Sequence, residues 1–280
     1  MLCMPRNFLE ENIKMILYGK PVAEKIYETM QKEMEGLKDR PFLAIVLVGE
    51  NPASLAYVKL KEKIAEKLNI GFKLYHLPEF SSQESVEKII SELNENKYVN
   101  GIVVQLPLPE GMETEKIIGL INPKKDTDGF AYQGIGEFPA PTAQAILDIL
   151  NFYKIDLEGK KFVIIGHGRL VGQPLERLLL KRHITASICD SKTTNLKEKT
   201  LLADILISAT GVPGLIQPDM VKPDAIVIDA GTAEVGGKMV GDISPEVYEK
   251  VASFTPNPGG VGPVTVAELF KNLVDASNEK

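Results

Sequence analysis

The chain has 280 residues, which is enough for two ordinary domains or one large one. It is 44% hydrophobic and 25% charged, the balance of a soluble globular protein, and its formal net charge is −6 without a basic block that would favour a nucleic-acid partner. The longest apolar runs have the length of a strand, so no membrane-spanning segment is expected.

The N-terminal residues and the two cysteines both bear on the cellular compartment of the protein. Residues 1–14 mix charged and isolated apolar positions and lack the apolar core of a signal peptide, so we assign them no function. Cys3 and Cys189 fit no disulfide or metal spacing, which favours a reducing cytoplasm. Met15 directly precedes a plausible opening strand at residues 16–18.

Strand and helix patterns alternate along the rest of the chain. In the first half, the predicted strands are 42–48, 72–77 and 101–106, and the predicted helices are 53–68, 82–96 and 113–120, before a turn-rich stretch at 122–136. After a helix at 142–153, the second half has predicted strands at 162–165, 185–189, 204–208 and 225–228, and predicted helices at 173–181 and 264–276.

This alternation predicts an α/β protein of two domains, each a mostly parallel sheet flanked by helices, with a cleft between them. We expect the first domain at residues 15–141, with a C-terminal helix at 264–280 packing back on it. The second, Rossmann-like domain is expected at residues 142–263.

Lys61 is the most informative residue of the predicted helix 53–68. At about 100° per residue, Lys61 projects from the apolar arc, one turn after Tyr57. A separate stripe of lysines lies at four-residue spacing on the opposite, solvated face: Lys59, Lys63 and Lys67. Two interpretations of Lys61 stay open: its ammonium extends to water, or it lies in a partly desolvated cleft where a lowered pKa suits proton transfer.

Polar residues also follow the predicted strands, where ligand sites form in open α/β sheets. Gln105 ends an apolar strand, and Asp128 lies in the turn Asp126–Gly129. Taken alone, each is as compatible with a strand end or an ordinary turn as with a binding site. The rest of a calcium loop is absent, and the three histidines are scattered, so no metal is expected.

Four ordered motifs resemble the methylenetetrahydrofolate dehydrogenase/cyclohydrolase family. The resemblance extends from about Tyr18 to Leu273. The motifs are Val48-Gly49 with Ala53-Ser54, Tyr57 and Lys61; Gly101 to Pro109; Lys125 to Phe130; and Thr255 to Pro263.

The resemblance implies oxidation of 5,10-methylenetetrahydrofolate and hydrolysis of the methenyl product to 10-formyltetrahydrofolate. It further implies a homodimer and, since most of the family uses NADP, NADP as the cofactor. It also implies that Lys61 is central to hydrolysis, assisted by Tyr57 and Gln105. For folate binding, the matching residues are Asp128, Ser54, Pro258, Gly259 and Gly260.

The cofactor half departs from the family pattern. The usual Gly-Arg-Ser, whose Arg and Ser serve the 2′-phosphate of NADP, is here Gly166-His167-Gly168, followed by Arg169. Its glycines suit a turn that leads into a helix N-terminus, although an unliganded turn would look the same. The usual Cys-His-Ser is Cys189-Asp190-Ser191, which places an acid where it could bind a ribose hydroxyl and repel a 2′-phosphate. NAD is therefore possible as well as NADP, and a surface role for Asp190 stays open.

Other differences and matches concern the hinge and the nicotinamide end. The hinge differs at residues 129–133 and 139–142, which weakens the expectation of dehydrogenase activity more than that of folate binding. Three cofactor-domain motifs match the family and contain Ala209, Gly211 and Thr232. Small residues at 209 and 211 would let a nicotinamide approach the sheet edge.

Three alternatives to the bifunctional enzyme remain. One is a cyclohydrolase with a degenerate cofactor site. Another is a folate- or nucleotide-binding protein without catalysis, which gives little reason for a lysine in an apolar arc. A generic hydroxy-acid or amino-acid dehydrogenase would not explain the motifs at Gln105 and at 258–260.

Overall fold

The computed structural model describes residues 14–130 and 138–278, so residues 1–13 and the hinge difference at 131–133 lie outside it. The strands are β1 (Met15–Ile16), β2 (Phe42–Val48), β3 (Gly71–Leu77), β4 (Gly101–Val104), β5 (Phe162–Ile165), β6 (Ala186–Cys189), β7 (Ile205–Ser208), β8 (Ile226–Asp229), β9 (Ala233–Val235), β10 (Lys238–Val240) and β11 (Ser253–Phe254). The helices are α1 (Gly19–Met34), α2 (Pro52–Lys67), α3 (Gln83–Glu95), α4 (Thr114–Gly119), α5 (Pro141–Phe152), α6 (Gly172–Leu180), α7 (Leu196–Thr200), α8 (Pro245–Lys250) and α9 (Val261–Asn278).

Two parallel sheets organise these elements. The first sheet has three strands in the order β3-β2-β4, and the second has six in the order β1-β11-β8-β7-β5-β6. Strands β9 and β10 form a separate antiparallel hairpin. The predicted α/β architecture of parallel sheets flanked by helices is therefore confirmed.

The first sheet is buried on both faces, which explains the continuous apolar run of β2. Leu43, Ile45 and Leu47 face one core, shared with α1, α2 and α9. Ala44 and Val46 alternate with them and face a second core, shared with α3 and α4. A central parallel strand covered by helices on both sides has no polar face to expose.

Strand β1 and helix α9 link the two halves of the molecule. The predicted opening strand at 16–18 is the shorter β1, which pairs with β11 in the second sheet although it precedes every strand of the first sheet in sequence. On α9, Val264 packs into a core with Ile164 and Ile207 of the second sheet. Further along the same helix, Phe270 and Leu273 pack against the first sheet. The final helix therefore packs against the cores of both sheets.

Most of the predicted helices and strands are confirmed within one to three residues, but some elements were missed. Helix α1 went unpredicted although Val22, Ile26 and Met30 repeat at four-residue spacing. Its N-cap, Tyr18, makes no side-chain cap, so the usual start signal is missing. The hairpin β9–β10, the short helices α7 and α8, and β11 were also missed, because such short elements have little periodicity of their own.

Candidate active site

Helix α2 brings Lys61 against the end of β4. The helix starts at a polar cap, where Asn51 Oδ1 accepts a hydrogen bond from the backbone N–H of Ser54 at 3.0 Å. The side chain of Lys61 is only 8% exposed, and its Nζ donates to Oε1 of Gln105 at 3.1 Å. The lysines of the opposite stripe are exposed: Lys59, Lys63 and Lys67. The structure thus favours the desolvated cleft over an ammonium that extends to water.

Burial lowers the pKa of Lys61, and the negative charge of Asp128 acts in the opposite direction. Burial also raises the pKa of Asp128, against the stabilising charge of Lys61. Each group therefore favours the ionised form of the other while the apolar surroundings disfavour both charges. A lysine in this balance loses its proton more easily than a solvated one, so it can exchange protons with a bound substrate.

Gln105 is oriented by its own strand end. Its backbone N–H donates to the carbonyl of Val46 at 2.8 Å, which extends the pairing of β4 with β2. Its side-chain Nε2 donates to the carbonyl of Leu106 at 2.9 Å, which leaves Oε1 directed at Lys61. The buried Ser54 donates from Oγ to the same carbonyl at 3.3 Å. Ser54 thereby ties the first turn of α2 to the segment after β4.

Asp128 lies on a turn that is anchored from two sides. The buried ammonium of Lys125 donates to the carbonyls of Leu93, Asn94 and Asn96 at 2.7–2.9 Å, at the C-terminal end of α3. From α9, Asn272 Nδ2 donates to the carbonyl of Thr127 at 2.9 Å. Neither Lys125 nor Asn272 was identified as an anchor from the sequence, because nothing local shows which carbonyls they meet.

The loop before α9 passes close to the start of α1. Gly259 has a φ of +105°, and its carbonyl accepts a hydrogen bond from the N–H of Gly19 at 2.9 Å. A Cβ at Gly260 would lie 2.6 Å from the carbonyl oxygen of Pro256, so this turn requires glycine. Tyr57 is half-buried on α2, one turn before Lys61. Among residues 14–130 and 138–278, no hydrogen bond joins Tyr57 to Lys61 or Gln105.

The second group of predicted residues surrounds the turn after β5. The order β6-β5-β7 places β5 at the point where successive connections run to opposite sides, which is where dinucleotides bind in such sheets. Gly166 has a φ of +92°, and a Cβ on Gly172 would lie 2.0 Å from the Gly166 carbonyl oxygen. A Cβ on Gly168 would meet nothing within 4 Å. The tight turn therefore brings the N-terminus of α6 forward and leaves open space beside it, as a pyrophosphate requires.

The polar and charged side chains near this turn already contact other side chains. His167 Nε2 lies 2.8 Å from Glu176 Oε2 on α6, and Arg169 contacts Glu115 of α4. The carboxylate of Asp190 accepts from the N–H of Lys192 at 3.0 Å and from the hydroxyl of Thr193 at 3.1 Å. These hydrogen bonds hold the pKa of Asp190 below its usual value, and the bond from the Lys192 N–H has the largest effect.

Asp190 is exposed at the end of β6, as is the following Ser191. Its carboxylate therefore stays ionised there, as binding of a ribose hydroxyl would need, but the same carboxylate also closes its own loop.

A buried acidic pair supports the turns after β7 and β8. Oδ2 of Asp242 accepts from Ser208 Oγ at 2.7 Å and from the N–H of Thr210 at 2.7 Å. Oδ1 of Asp229 accepts from the N–H of Gly231 at 3.1 Å. Between these turns, a Cβ at Gly211 would lie 3.5 Å from the carbonyl oxygen of Thr232. Both aspartates lie in the motifs found in the sequence. The sequence did not indicate that they stabilise the turns at Ala209–Gly211 and Thr232.

The predicted site residues thus lie in two separate clusters in the structure. Lys61, Gln105, Ser54 and Asp128 converge beyond β4, and the cofactor set lies around the carboxyl ends of β5, β6, β7 and β8. Within residues 14–130 and 138–278, no three metal-binding side chains cluster closely enough to hold an ion. Across the same ranges, no helix has the length and hydropathy needed to cross a membrane.

Comparison with known proteins assigns the chain to a family. Residues 17–128 match the family model for the tetrahydrofolate dehydrogenase/cyclohydrolase catalytic domain, and residues 140–280 match that for its NAD(P)-binding domain. The chain is 46% identical over 274 residues to the bifunctional protein FolD of Thermodesulfovibrio yellowstonii, covering 94% of this chain and 96% of that protein.

Solved structures agree with this assignment. The bifunctional FolD enzyme of Campylobacter jejuni superposes with a TM-score of 0.90 at 40% identity, covering 95% of this chain and 99% of that one. The Trypanosoma brucei FolD, solved with NADP and an inhibitor, gives a TM-score of 0.88 at 31% identity, with coverages of 95% and 98%. The chain therefore belongs to the tetrahydrofolate dehydrogenase/cyclohydrolase family.

Proposed function

We infer that this chain is a bifunctional enzyme that oxidises 5,10-methylenetetrahydrofolate to the 5,10-methenyl cation and hydrolyses that cation to 10-formyltetrahydrofolate. The observation that carries the inference is the buried Lys61, which donates to Gln105 at 3.1 Å and interacts electrostatically with Asp128. Lys61 comes from α2, Gln105 from the end of β4, and Asp128 from the turn that follows α4. Replacing a buried ionic set by apolar residues is often neutral or stabilising, so stability alone gives little reason for this one.

The hydrolytic step follows from the state of Lys61. Water must add to a cationic carbon, lose one proton and supply one to the nitrogen that departs. A permanently charged lysine would repel the cation, whereas burial makes neutral Lys61 accessible as the proton acceptor. Gln105 holds the lysine in place, and the half-buried Tyr57 lies one turn away to assist.

Asp128 is proposed to hold the pterin ring, because a carboxylate can accept paired N–H bonds. Its turn is fixed by Lys125 and Asn272, so the carboxylate is positioned before substrate arrives. Ser54 and the loop Pro258–Gly260 complete the proposed folate site. The glycines allow the backbone to approach the ligand closely.

For the oxidation, a bound nicotinamide cofactor supplies the hydride acceptor. The proposed phosphate turn is Gly166, His167, Gly168 and Arg169, at the N-terminus of α6. Asp190 and Ser191 would meet the adenosine ribose, and Ala209, Gly211 and Thr232 would line the nicotinamide end. NADP is supported by the Trypanosoma brucei relative, and NAD remains possible because Asp190 is ionised beside the ribose position.

The competing functions have less support. A cyclohydrolase with a degenerate cofactor site is disfavoured by the well-formed turn at Gly166–Gly172 and by the match of residues 140–280 to the NAD(P)-binding family model. We also propose the domain division at residues 141/142, a homodimer and a cytoplasmic location. The resemblance to a mostly dimeric enzyme family supports the dimer. The sequence has two cysteines whose separation fits no disulfide spacing, which supports a reducing compartment.

The direct test is an assay of the purified protein with 5,10-methylenetetrahydrofolate in which methenyl and formyl products are followed separately. NAD and NADP are compared in parallel. Formation of both products supports the bifunctional enzyme, and the better cofactor resolves the role of Asp190. Hydrolysis of supplied methenyl substrate without oxidation would leave a cyclohydrolase alone, and no reaction in folded protein would refute the enzyme.

A further inference from the structure

Arg169 and Glu115 form an ion pair between the two halves of the molecule. Arg169 lies in the turn that follows β5 of the second sheet, and Glu115 lies in the first turn of α4. Helix α4 packs through Ile117 against the first sheet. The pair therefore links the proposed phosphate turn to the folate side of the protein.

The two partners differ in their exposure. The side chain of Arg169 is 22% exposed, whereas that of Glu115 is 77% exposed. Nε and Nη1 of Arg169 are both shielded from solvent. Nη1 is the atom that meets Oε2 of Glu115, whereas Nε has no hydrogen-bond partner among the described residues. A guanidinium carries its donors in one plane and is best satisfied by a group with several oxygens, such as a phosphate. The geometry thus shows an arginine whose single carboxylate partner leaves the buried Nε without an acceptor.

The other basic side chain of this turn has a partner in its own domain. His167 lies 2.8 Å from Glu176, which is on the helix that the turn leads into. Opening of the cleft would leave that contact unchanged. Arg169, by contrast, is held by a residue from the opposite half, so a phosphate at the turn and Glu115 would compete for the same donors.

We propose that Glu115 is a specificity-determining residue that competes with the cofactor's phosphate for Arg169. The inference rests on the proposed binding of a nicotinamide dinucleotide. Without cofactor, the Arg169–Glu115 pair holds the turn against α4. A phosphate group displaces the single, exposed carboxylate, because a pair with one solvated partner contributes little and a phosphate offers more charge and more acceptors. Glu115 therefore lowers the affinity for phosphate-bearing ligands.

The test is a double-mutant cycle on ligand affinity, measured by calorimetric titration of the full chain. The variants are Glu115→Gln, Arg169→Gln and the double variant, and the ligands are NADP, NAD, 2′,5′-ADP and ADP. We expect Glu115→Gln to bind a phosphate ligand about two- to fivefold more tightly. In the Arg169→Gln background the same change should have no effect, because the competition requires the arginine.

Glu110→Gln is the matched control, since it removes an exposed carboxylate from the segment just before α4. Circular dichroism of each variant establishes that it is folded, and Glu115→Ala is a second variant that removes the same carboxylate. A gain restricted to NADP and 2′,5′-ADP would support competition with the ribose phosphate. A gain with all four ligands would support competition with the pyrophosphate.

Three results would overturn the proposal: unchanged or weaker binding in Glu115→Gln, an equal gain without Arg169, or an equal gain in Glu110→Gln. If wild-type protein binds none of the four ligands, the proposed cofactor site itself fails, and this inference fails with it. These outcomes are distinguishable, because only the last one is seen without any variant.

Discussion

Lys61 and Gln105, separated by 44 residues in the chain, meet with 3.1 Å between Nζ and Oε1. The lysine belongs to the buried face of a helix and the glutamine to the end of a parallel strand. Their contact places a titratable amine, largely removed from water, beside the carboxylate of Asp128.

Replacing Lys61 by methionine should abolish hydrolysis while leaving the cofactor site intact. Loss of a general base typically lowers the rate by about 10²- to 10⁴-fold. The measurement is the rate of loss of methenyl absorbance with supplied methenyl substrate, alongside calorimetric binding of NADP. Lys63→Met is the control, because Lys63 is on the exposed face of the same helix. Equal losses in both variants would contradict a specific role for Lys61.

The hydrolysis rate should rise with pH through the lowered pKa of Lys61, because the neutral amine is the active form. The charge of Asp128 raises that pKa, so Asp128→Asn should lower it further and move the rising limb to more acidic pH. The pH dependence of kcat/KM for methenyl substrate measures this midpoint separately from the overall rate. A midpoint that stays in place, or moves to alkaline pH, would show that Asp128 does not act on Lys61.

A buried carboxyl pair between α5 and α9 should make stability depend on pH. Burial, reinforced by Asp148, raises the pKa of Glu268 from an ordinary value of 4.5 to about 9. The protonated form is thus favoured in the folded state, so its contribution is complete below pH 4.5 and is lost as pH rises to about 9. The free energy of unfolding should fall by up to about 1.4 kcal/mol per pH unit across this window.

Glu268→Gln should flatten this dependence, since a neutral amide can replace the protonated acid beside Asp148. Other charges that act on this pair are Lys271, Asp275 and Arg182. Urea unfolding at several pH values between 6 and 9 measures the slope, and Glu158→Gln serves as an exposed control. Parallel curves for wild type and Glu268→Gln would exclude Glu268 as the titrating group.

Gly168 of the phosphate turn and Gly172, which begins α6, should respond differently to replacement by alanine. A Cβ at Gly172 would lie 2.0 Å from a backbone oxygen, whereas one at Gly168 would meet nothing within 4 Å. We expect Gly172→Ala to destabilise the protein by about 2 kcal/mol or more, and Gly168→Ala to change its stability little. Urea unfolding of both variants provides the comparison. Similar stabilities would mean that α6 can move away from the turn without loss.

Much of the local structure could be predicted from the sequence. The periodicity of residues 53–68 correctly placed Lys61 on a buried face and the other lysines in solvent. The apolar run 162–165 predicted β5 to the residue, because a strand covered on both faces must be continuously apolar. Helix α1 and the hairpin were missed where caps or periodicity were weak.

Long-range relationships lay beyond the sequence. Nothing in residues 15–16 indicates that they pair with β11, more than 230 residues later. The contacts of Arg169 with Glu115, and of Lys125 with the end of α3, likewise join segments with no shared local pattern.

The sequence by itself determined the alternation of strands and helices, the face on which Lys61 lies, and the motifs that indicate the family. Only the tertiary structure decided which distant side chains lose water together, and so how the pKa values of Lys61, Asp128 and Glu268 shift. The physical reason is that periodicity depends on neighbours along the chain. Desolvation and charge coupling instead depend on everything that packs around a group in space.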